Sequence, residues 1–410
     1  MPEFRQWKFH VSCTRARGVT PLVRTNQSHS ARIFAVPVIA AAVVAAAMPL
    51  HAEDPPKRLT GAVPAQAPLA ASSTSRADSS LQQTEPRQAE TPPARPKVRY
   101  TDGRLRINRP AKTLGGVQLW GDELWYRGWR IQRHVATGHC RLLDPDNRRE
   151  DWGSFERCQA TLERIKLERN LPPLSGRAVI LLHGLGGWHS TMNSLASYIE
   201  DNGPFLVVNV TYPSTRADLT AHARQLASVI DHLQGVEELN FVCHSLGNVV
   251  LRRYLKDQTD RPETQQAHPP IKRIVMLAPP NHGSERAGKW SDSELFVAVL
   301  GASALQLGSN WSDLEKQLAV PQCEFGIIAG GRGDDRGYSS RLPGDDDNTI
   351  SVATTRLDGA RDFTIVPVWH SFLLFSPTVQ RYTLQFLEHG YFTTESQRNP
   401  IAAAKAPERR

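Results

Sequence analysis

Six short, almost continuously apolar runs follow Arg177, and amphipathic stretches separate most of them. Continuous hydrophobicity is typical of strands covered on both faces, because a strand with one exposed face would alternate apolar and polar residues. The runs are residues 178–182, 205–210, 239–242, 273–277, 324–330 and 363–368. Apolar residues at helical spacing predict helices over 192–200, 219–233, 247–257 and 379–387. Together they predict an α/β fold with a doubly wound, mostly parallel sheet.

Four loops of such a sheet are candidate positions for a functional site, because ligands bind beyond the carboxyl ends of parallel strands. The first run is followed by "HGLGGWHS", and the third is followed by Ser245. An aspartate-rich loop follows the fifth run, and Trp369 and His370 follow the sixth. We expect these loops to open on the same edge of the sheet.

Ser245 stands in "CHSLG", between a predicted strand and a predicted helix. A strand that turns directly into a helix holds the residue at the bend in a strained conformation and exposes its side chain. Small residues are needed two positions before and after it, and Cys243 stands where glycine is usual. The pentapeptide alone is equally typical of a serine that caps a helix. Its position directly after a buried strand favours a nucleophile.

Several motifs are similar, in their order, to those of the α/β-hydrolase superfamily and especially of its lipase and esterase branch. They are "LLHGLGG", "VCHSLGN", "LAPPNHGS" and "GDDDNTISV" followed by "VPVWHSF". The resemblance covers about residues 174–390 and implies the α/β-hydrolase fold. It also implies hydrolysis by a serine nucleophile.

A hydroxyl needs an adjacent base to take its proton, and a carboxylate that orients this base. His370 follows the last predicted strand, where the resemblance also places the base, although a structural histidine is an alternative. His183 and His244 are poorer candidates because the neighbouring loop and elbow fix them, and His282 is also less suited. We expect His244 to pack beside the nucleophile.

The candidate acids all follow the fifth strand: Asp334, Asp335, Asp345, Asp346 and Asp347. The resemblance implies an acid before a glycine and a β-run. Asp347 fits this pattern, with Asn348 in the place of glycine, since asparagine also accepts left-handed backbone angles. We therefore favour Asp347 over Asp346, although most acidic residues in such a run belong to a solvated loop. The order Ser245, Asp347, His370 is the one this fold requires.

Two backbone N–H groups aimed at the developing oxyanion would lower the barrier to acyl transfer. Leu246 is one expected donor because it follows the nucleophile directly. The resemblance implies Leu185 as the second, in a loop where Gly184, Gly186 and Gly187 permit the turn. A phosphate-binding loop is the rival interpretation. The segment, however, lacks the Lys-Ser/Thr end of a P-loop and the G-x-G-x-x-G spacing of a dinucleotide-binding site.

The N-terminus predicts export. Basic residues precede an uncharged, alanine-rich run near residues 33–52, so residues 1–52 are typical of a signal peptide, with an uncleaved membrane anchor as the alternative. Residues 53–97 are rich in Pro, Ala, Ser, Thr and Gln and predict a disordered linker. Residues 391–410 predict a disordered tail. The expected location is the periplasm or the exterior, or the membrane if the anchor is retained.

Residues 98–173 lie outside the shared core and predict a small β-rich extension packed on it; they name no ligand. An apolar stretch within 286–320 predicts either a helical cap over the site or a core helix. In an exported protein Cys140 and Cys158 could form a disulfide, a question that spacing alone leaves open.

The net charge of +8 includes a surplus of six in residues 1–97, where twelve Lys and Arg face six Asp and Glu. The rest of the chain is nearly neutral, which argues against nucleic-acid binding. No metal-ligand spacing or cofactor motif is present. The sequence predicts a carboxylester hydrolase that acts on a small-molecule or lipid ester through an acyl-enzyme. A thioesterase, an acyltransferase and a catalytically silent binding module are the alternatives.

Overall fold

The computed structural model describes residues 111–112, 116–260, 269–283 and 311–403. The predicted signal or anchor, the predicted linker and residues 286–310 of the predicted cap lie outside the described residues. Within the described ranges, every helix is too short or too polar to cross a bilayer.

The described chain begins with a five-stranded antiparallel sheet. Its strands are β1 (Ala111–Lys112), β2 (Trp120–Tyr126), β3 (Trp129–His134), β4 (Cys140–Leu143) and β5 (Arg148–Gly153). Their order in the sheet is β1-β5-β4-β3-β2. Helix α1 (Phe155–Glu168) follows and buries Cys158, Leu162 and Ile165. The predicted β-rich extension is confirmed.

The second sheet has six strands, all parallel, in the order β11-β10-β9-β8-β6-β7. The strands are β6 (Gly176–Leu182), β7 (Leu206–Val210), β8 (Val236–His244), β9 (Ile271–Leu277), β10 (Glu324–Gly330) and β11 (Asp362–Val366). Each contains one of the six apolar runs or most of it. The predicted parallel sheet is therefore confirmed.

Both faces of the parallel sheet are buried, which explains the continuous apolar runs. Along β6, Ala178 and Ile180 belong to one core cluster, and Val179 and Leu181 belong to the cluster on the opposite face. Alternate side chains of a strand point to opposite faces, so both sets must be apolar when both faces are covered.

A helix follows each of the parallel strands along the chain. These helices are α2 (Asn193–Asn202), α3 (Leu219–Asp231), α4 (Leu246–Thr259), α5 (Trp311–Glu315), α6 (Val352–Thr355) and α7 (Pro377–His389). Helix α3 begins behind Asp218, whose side chain accepts a 2.8 Å hydrogen bond from the Ala221 N–H. A capping acceptor of this kind satisfies one of the N–H groups that a helix start leaves without an intrahelical partner.

The antiparallel sheet is joined to the parallel sheet through Asp122 of β2. The Asp122 N–H donates to the Thr211 carbonyl (2.8 Å), and the Thr211 N–H donates to Asp122 Oδ2 (2.6 Å). Gln132 Nε2 donates to the other carboxyl oxygen at 2.8 Å. Burial raises the pKa of Asp122, although Arg130 and these hydrogen bonds oppose the shift. The extension is thus fixed to the residue that directly follows β7.

Residues 391–403 do not form the disordered tail that their composition predicts. Phe392 is buried, and its N–H donates to Asp362 Oδ2 at 2.8 Å. The Asn399 N–H donates to the other oxygen of the same carboxylate at 2.9 Å. The Ile401 N–H donates to the Ala360 carbonyl at 2.9 Å. The correction has a physical reason: one buried aromatic ring and one carboxylate of β11 hold this segment against the sheet.

Cys140 and Cys158 are free thiols, and both are fully buried in one hydrophobic cluster. Burial raises the pKa of the Cys158 thiol to about 12, so it packs as a neutral apolar group.

Candidate active site

Ser245 lies at the turn between β8 and α4, with φ 52° and ψ −120°. A residue other than glycine pays a conformational cost in this region of backbone space, and such strain persists only where the surroundings enforce it. The Ser245 N–H donates to the Leu277 carbonyl, at the end of β9, with a distance of 2.9 Å. The neighbouring strand therefore supports the strained turn.

Two residues of α4 complete this turn. Gly247 has no room for a side chain, because an added Cβ would lie 2.5 Å from the Leu182 carbonyl oxygen. Asn248 is fully buried, and its Nδ2 donates to the carbonyls of Cys243 (3.0 Å) and Ser245 (3.1 Å). The helix start is thus held against the strand ends by a close backbone approach and by one amide side chain.

Replacing Gly247 by alanine is expected to destabilise the fold by about 3 kcal/mol, because the new methyl group would overlap a backbone carbonyl that cannot move freely. In an exposed helix the same substitution would stabilise by about 1 kcal/mol. Urea denaturation measures the difference. Gly138→Ala is the comparison: an added Cβ there meets nothing within 4 Å, so its expected loss of about 1 kcal/mol comes only from alanine at φ 71°. A Gly247→Ala protein more stable than wild type would contradict the close packing.

The aspartate and histidine that the sequence singles out are in contact. His370 Nδ1 donates to Asp347 Oδ2 at 2.7 Å, and both side chains are buried. The backbone adds a second link, since the His370 N–H donates to the Asp347 carbonyl at 2.9 Å. Asp347 Oδ1 accepts from the N–H groups of Thr349 (2.9 Å) and Ile350 (2.7 Å). Both carboxyl oxygens are therefore occupied, and the imidazole keeps Nε2 for another partner.

The alternative acid has different partners. Asp346 Oδ1 accepts from the Asn348 N–H at 2.6 Å, and its Oδ2 accepts from the Ser339 N–H at 3.1 Å. Burial raises the pKa of Asp346. Asp345 accepts from backbone N–H groups of the same loop, and so does Asp334. Asn348 adopts φ 72°, the left-handed conformation that lets Asp347 turn towards His370.

His244 packs against His370, with 4.8 Å between the ring centroids. His244 Nε2 donates to the His370 carbonyl at 3.2 Å. Burial, followed by the proximity of His370, lowers the pKa of His244 to about 3. His244 is therefore neutral at neutral pH and holds the backbone of His370 in place.

His183 is also neutral, because burial lowers its pKa to about 3. Its Nδ1 donates to the Gly184 carbonyl at 2.8 Å, and its Nε2 accepts from the Tyr212 N–H at 3.3 Å. Both ring nitrogens are thus used to hold the loop after β6. His282, by contrast, is exposed and contacts Glu315 at 3.1 Å.

The loop after β6 lies against the nucleophile. A Cβ added to Gly184 would lie 3.2 Å from Ser245 Cβ. The Gly186 N–H donates to Ser214 Oγ (2.9 Å), and the Gly187 N–H donates to the Gly184 carbonyl (3.1 Å). Among the described residues, no acceptor pairs with the Leu185 N–H. Leu246 begins α4, where an N–H has no intrahelical acceptor. Neither of the two expected oxyanion donors is therefore paired within the described residues.

Ser245 Oγ makes no hydrogen bond to His370 within the described residues. Contacts of this kind often tighten only when substrate binds. Two residues that hold the loops of the site, Asn248 and Ser214, went unnoticed in the sequence. Ser214 follows β7, whose loop belongs to the same edge of the sheet and could have been searched by the rule for parallel strands.

No group of three or more metal-ligating side chains is assembled in the part of the chain that the structure describes.

No protein-family model and no curated protein matches the sequence. Among solved structures, a gene product of Listeria innocua shares 16% identity over 56% of this chain and 99% of its own, with a TM-score of 0.38. The mature Bacillus licheniformis lipase BlEst2 shares 16% over 54% of this chain and 93% of its own, with a TM-score of 0.39. Phospholipase PlaB from Legionella pneumophila, solved with thio-NAD, shares 17% over 52% of this chain and 59% of its own, with a TM-score of 0.39.

These identities and TM-scores are low, so the assignment of the fold depends on the chain's own topology. Six parallel strands flanked by helices carry a strained serine at the turn after β8. An aspartate after β10 and a histidine after β11 follow in that order. By this topology the chain has the α/β-hydrolase fold.

Proposed function

We propose that the protein is a serine carboxylester hydrolase in which Ser245, His370 and Asp347 are the catalytic residues. One observation carries the proposal: His370, hydrogen-bonded to the buried Asp347, packs at 4.8 Å against His244, the neighbour of a serine held at φ 52°. A structural role explains a buried aspartate–histidine pair, but it does not explain a strained serine whose side chain caps no helix.

In the proposed reaction, Ser245 Oγ attacks the ester carbonyl while His370 Nε2 accepts the hydroxyl proton. Asp347 keeps the other imidazole proton on Nδ1 and stabilises the imidazolium. The N–H groups of Leu185 and Leu246 donate to the oxyanion. His370 then returns its proton to the departing alcohol, and an acyl-enzyme remains. Water, deprotonated by His370, attacks this ester and releases the acid and free Ser245.

An exposed aromatic surface next to His370 favours an ester with an apolar group. Trp369, Phe372 and Phe375 are 38%, 53% and 55% exposed. The Trp369 ring contacts Phe372 at 6.5 Å and Tyr338 at 5.7 Å between centroids. Clustered exposed aromatic rings are uncommon on a soluble protein unless they bind something. An acyl chain or another apolar part of a lipid ester would cover them.

A fluorophosphonate probe tests the proposal, because it reacts with an activated serine and leaves a stable adduct. We expect labelling of the full chain at Ser245, located by mass spectrometry of the peptide that contains it. The same protein should hydrolyse p-nitrophenyl esters and be fastest on one range of acyl-chain length. Heat-denatured protein is the control, since labelling must depend on the folded site.

Folded protein that neither reacts with the probe nor hydrolyses any ester would favour a silent binding module and end the proposal. Labelling with preferential turnover of thioesters, or with transfer to an added alcohol, would instead assign the thioesterase or acyltransferase alternative to the same residues. Export and a membrane tether through residues 33–52 stay predictions, because those residues lie outside the described ranges.

A further inference from the structure

The side chain of Gln118, in the N-terminal extension, reaches the two loops that follow β6 and β7. Gln118 Nε2 donates to the Gly187 carbonyl at 2.7 Å. Gln118 Oε1 accepts from the N–H of Thr215 at 3.1 Å, from its Oγ1 at 3.0 Å and from Ser214 Oγ at 3.3 Å. Donors surround the amide oxygen and an acceptor faces the amide nitrogen, so the orientation of this side chain is fixed by its partners.

These contacts converge on the segment that holds the proposed oxyanion donor. Ser214 Oγ accepts from the Gly186 N–H at 2.9 Å, so Gln118 is linked to Gly186 through Ser214 and to Gly187 directly. Leu185 lies immediately before these two glycines. Its N–H stays open among the described residues while its neighbours are held.

The loop needs support of this kind because three of its four residues at 184–187 are glycine. Glycine gives the chain the turn it requires, with Gly186 at φ 73°, but it also gives the segment large conformational freedom. An oxyanion donor must be held within about 0.5 Å of its working position, and a displacement of about 1 Å costs roughly a hundredfold in rate.

The extension is itself attached to the core close to this contact. Gln118 lies two residues before β2, and Asp122 of that strand exchanges two hydrogen bonds with Thr211. Thr211 belongs to the same loop as Ser214 and Thr215. The extension thus holds the β7 loop through Asp122 and the oxyanion loop through Gln118.

We propose that Gln118 is a positioning residue that fixes the Leu185 N–H for oxyanion binding, so that the N-terminal extension is part of the catalytic apparatus. The inference rests on the proposed esterase function. It gives residues 116–126 a role that the α/β core alone cannot supply.

Two substitutions separate the contacts. Gln118→Ala removes all of them, whereas Gln118→Glu keeps an acceptor for Thr215 and replaces the donor to Gly187 with a repelling oxygen. We expect both variants to lower kcat for ester hydrolysis by about 10- to 100-fold with little change in KM, because the loss arises at the oxyanion. The rate at which the fluorophosphonate reacts with Ser245 should fall in parallel, since the phosphoryl oxygen of the probe occupies the oxyanion site. Arg133→Ala is the matched control, because Arg133 of β3 pairs with Glu123 and touches neither loop.

Amide hydrogen exchange provides a readout that does not need activity. In Gln118→Ala, peptides covering 183–190 should exchange faster than in wild type, while peptides from β9 and β10 should not change. Unchanged exchange and unchanged kcat in both variants would overturn the inference. A wild-type protein without turnover or labelling would overturn the proposed function instead, and exchange would still report whether Gln118 holds the loop.

Discussion

Replacing Ser245 by alanine is expected to lower kcat for ester hydrolysis by about 10⁶-fold, the size of effect seen when a serine hydrolase loses its nucleophile. The hydroxyl is the only part of Ser245 that takes part in the proposed chemistry, so the acyl-enzyme can no longer form. The residual rate would come from substrate binding and from the amides of Leu185 and Leu246. Steady-state kinetics on a p-nitrophenyl ester measure the loss of kcat, and fluorophosphonate labelling measures the loss of the reactive hydroxyl.

The matched control for this variant is Ser228→Ala. Ser228 lies in α3, and its Oγ donates to the Glu123 carbonyl at 3.0 Å, at the contact between this helix and strand β2. Its loss should cost about 1 kcal/mol of stability and leave kcat within a few-fold of wild type. A Ser245→Ala protein that keeps a tenth or more of the wild-type kcat would show that the nucleophile is elsewhere.

Replacing Asp347 by asparagine is expected to lower kcat by about 10⁴-fold with little loss of structure. An asparagine oxygen can still accept from the N–H groups of Thr349 and Ile350, which bind Oδ1 in the wild type. Its amide nitrogen would then face His370 Nδ1 and force the imidazole proton onto Nε2. In that tautomer His370 cannot accept the proton of Ser245. The kcat, the KM and the melting temperature of the variant measure this effect.

Asp346→Asn controls for the loss of a buried carboxylate in the same loop, because Asp346 bonds to Asn348 and Ser339 and not to His370. We expect a lower melting temperature and a kcat within a few-fold of wild type. If Asp346→Asn lowered kcat as much as Asp347→Asn, the assignment of the acid would be wrong.

The parallel sheet could be predicted because burial on both faces leaves a plain sequence signal. Strand β10 has the predicted bounds, whereas β8 begins three residues before the run at 239–242. The early residues include Glu237, which is exposed at the start of the strand and interrupts the apolar pattern. Ends of strands project beyond the covered core, so charged residues there conceal the true boundary.

Asp347, the partner of His370, could be singled out from its neighbours because Asn348 is compatible with the left-handed conformation that the turn requires, and it has φ 72°. Gln118 left no such signal. Its partners Gly187 and Ser214 are 69 and 96 residues away, and glutamine is common in ordinary surface turns. The packing of residues 391–403 against the sheet could not be predicted from the sequence for the same reason. It depends on Asp362, which is 30 residues from Phe392.

The strained backbone conformation at Ser245 lowers the stability of the fold at the same position where the proposed reaction needs an exposed hydroxyl. With φ 52° and ψ −120°, this site suits glycine, which would relax the bend without a steric conflict. Selection for a more durable molecule alone would therefore remove the serine. With serine there, the fold includes a locally strained conformation. The hydrogen bond from the Ser245 N–H to the end of β9 and the one from the Asn248 amide to the Ser245 carbonyl help to stabilise it.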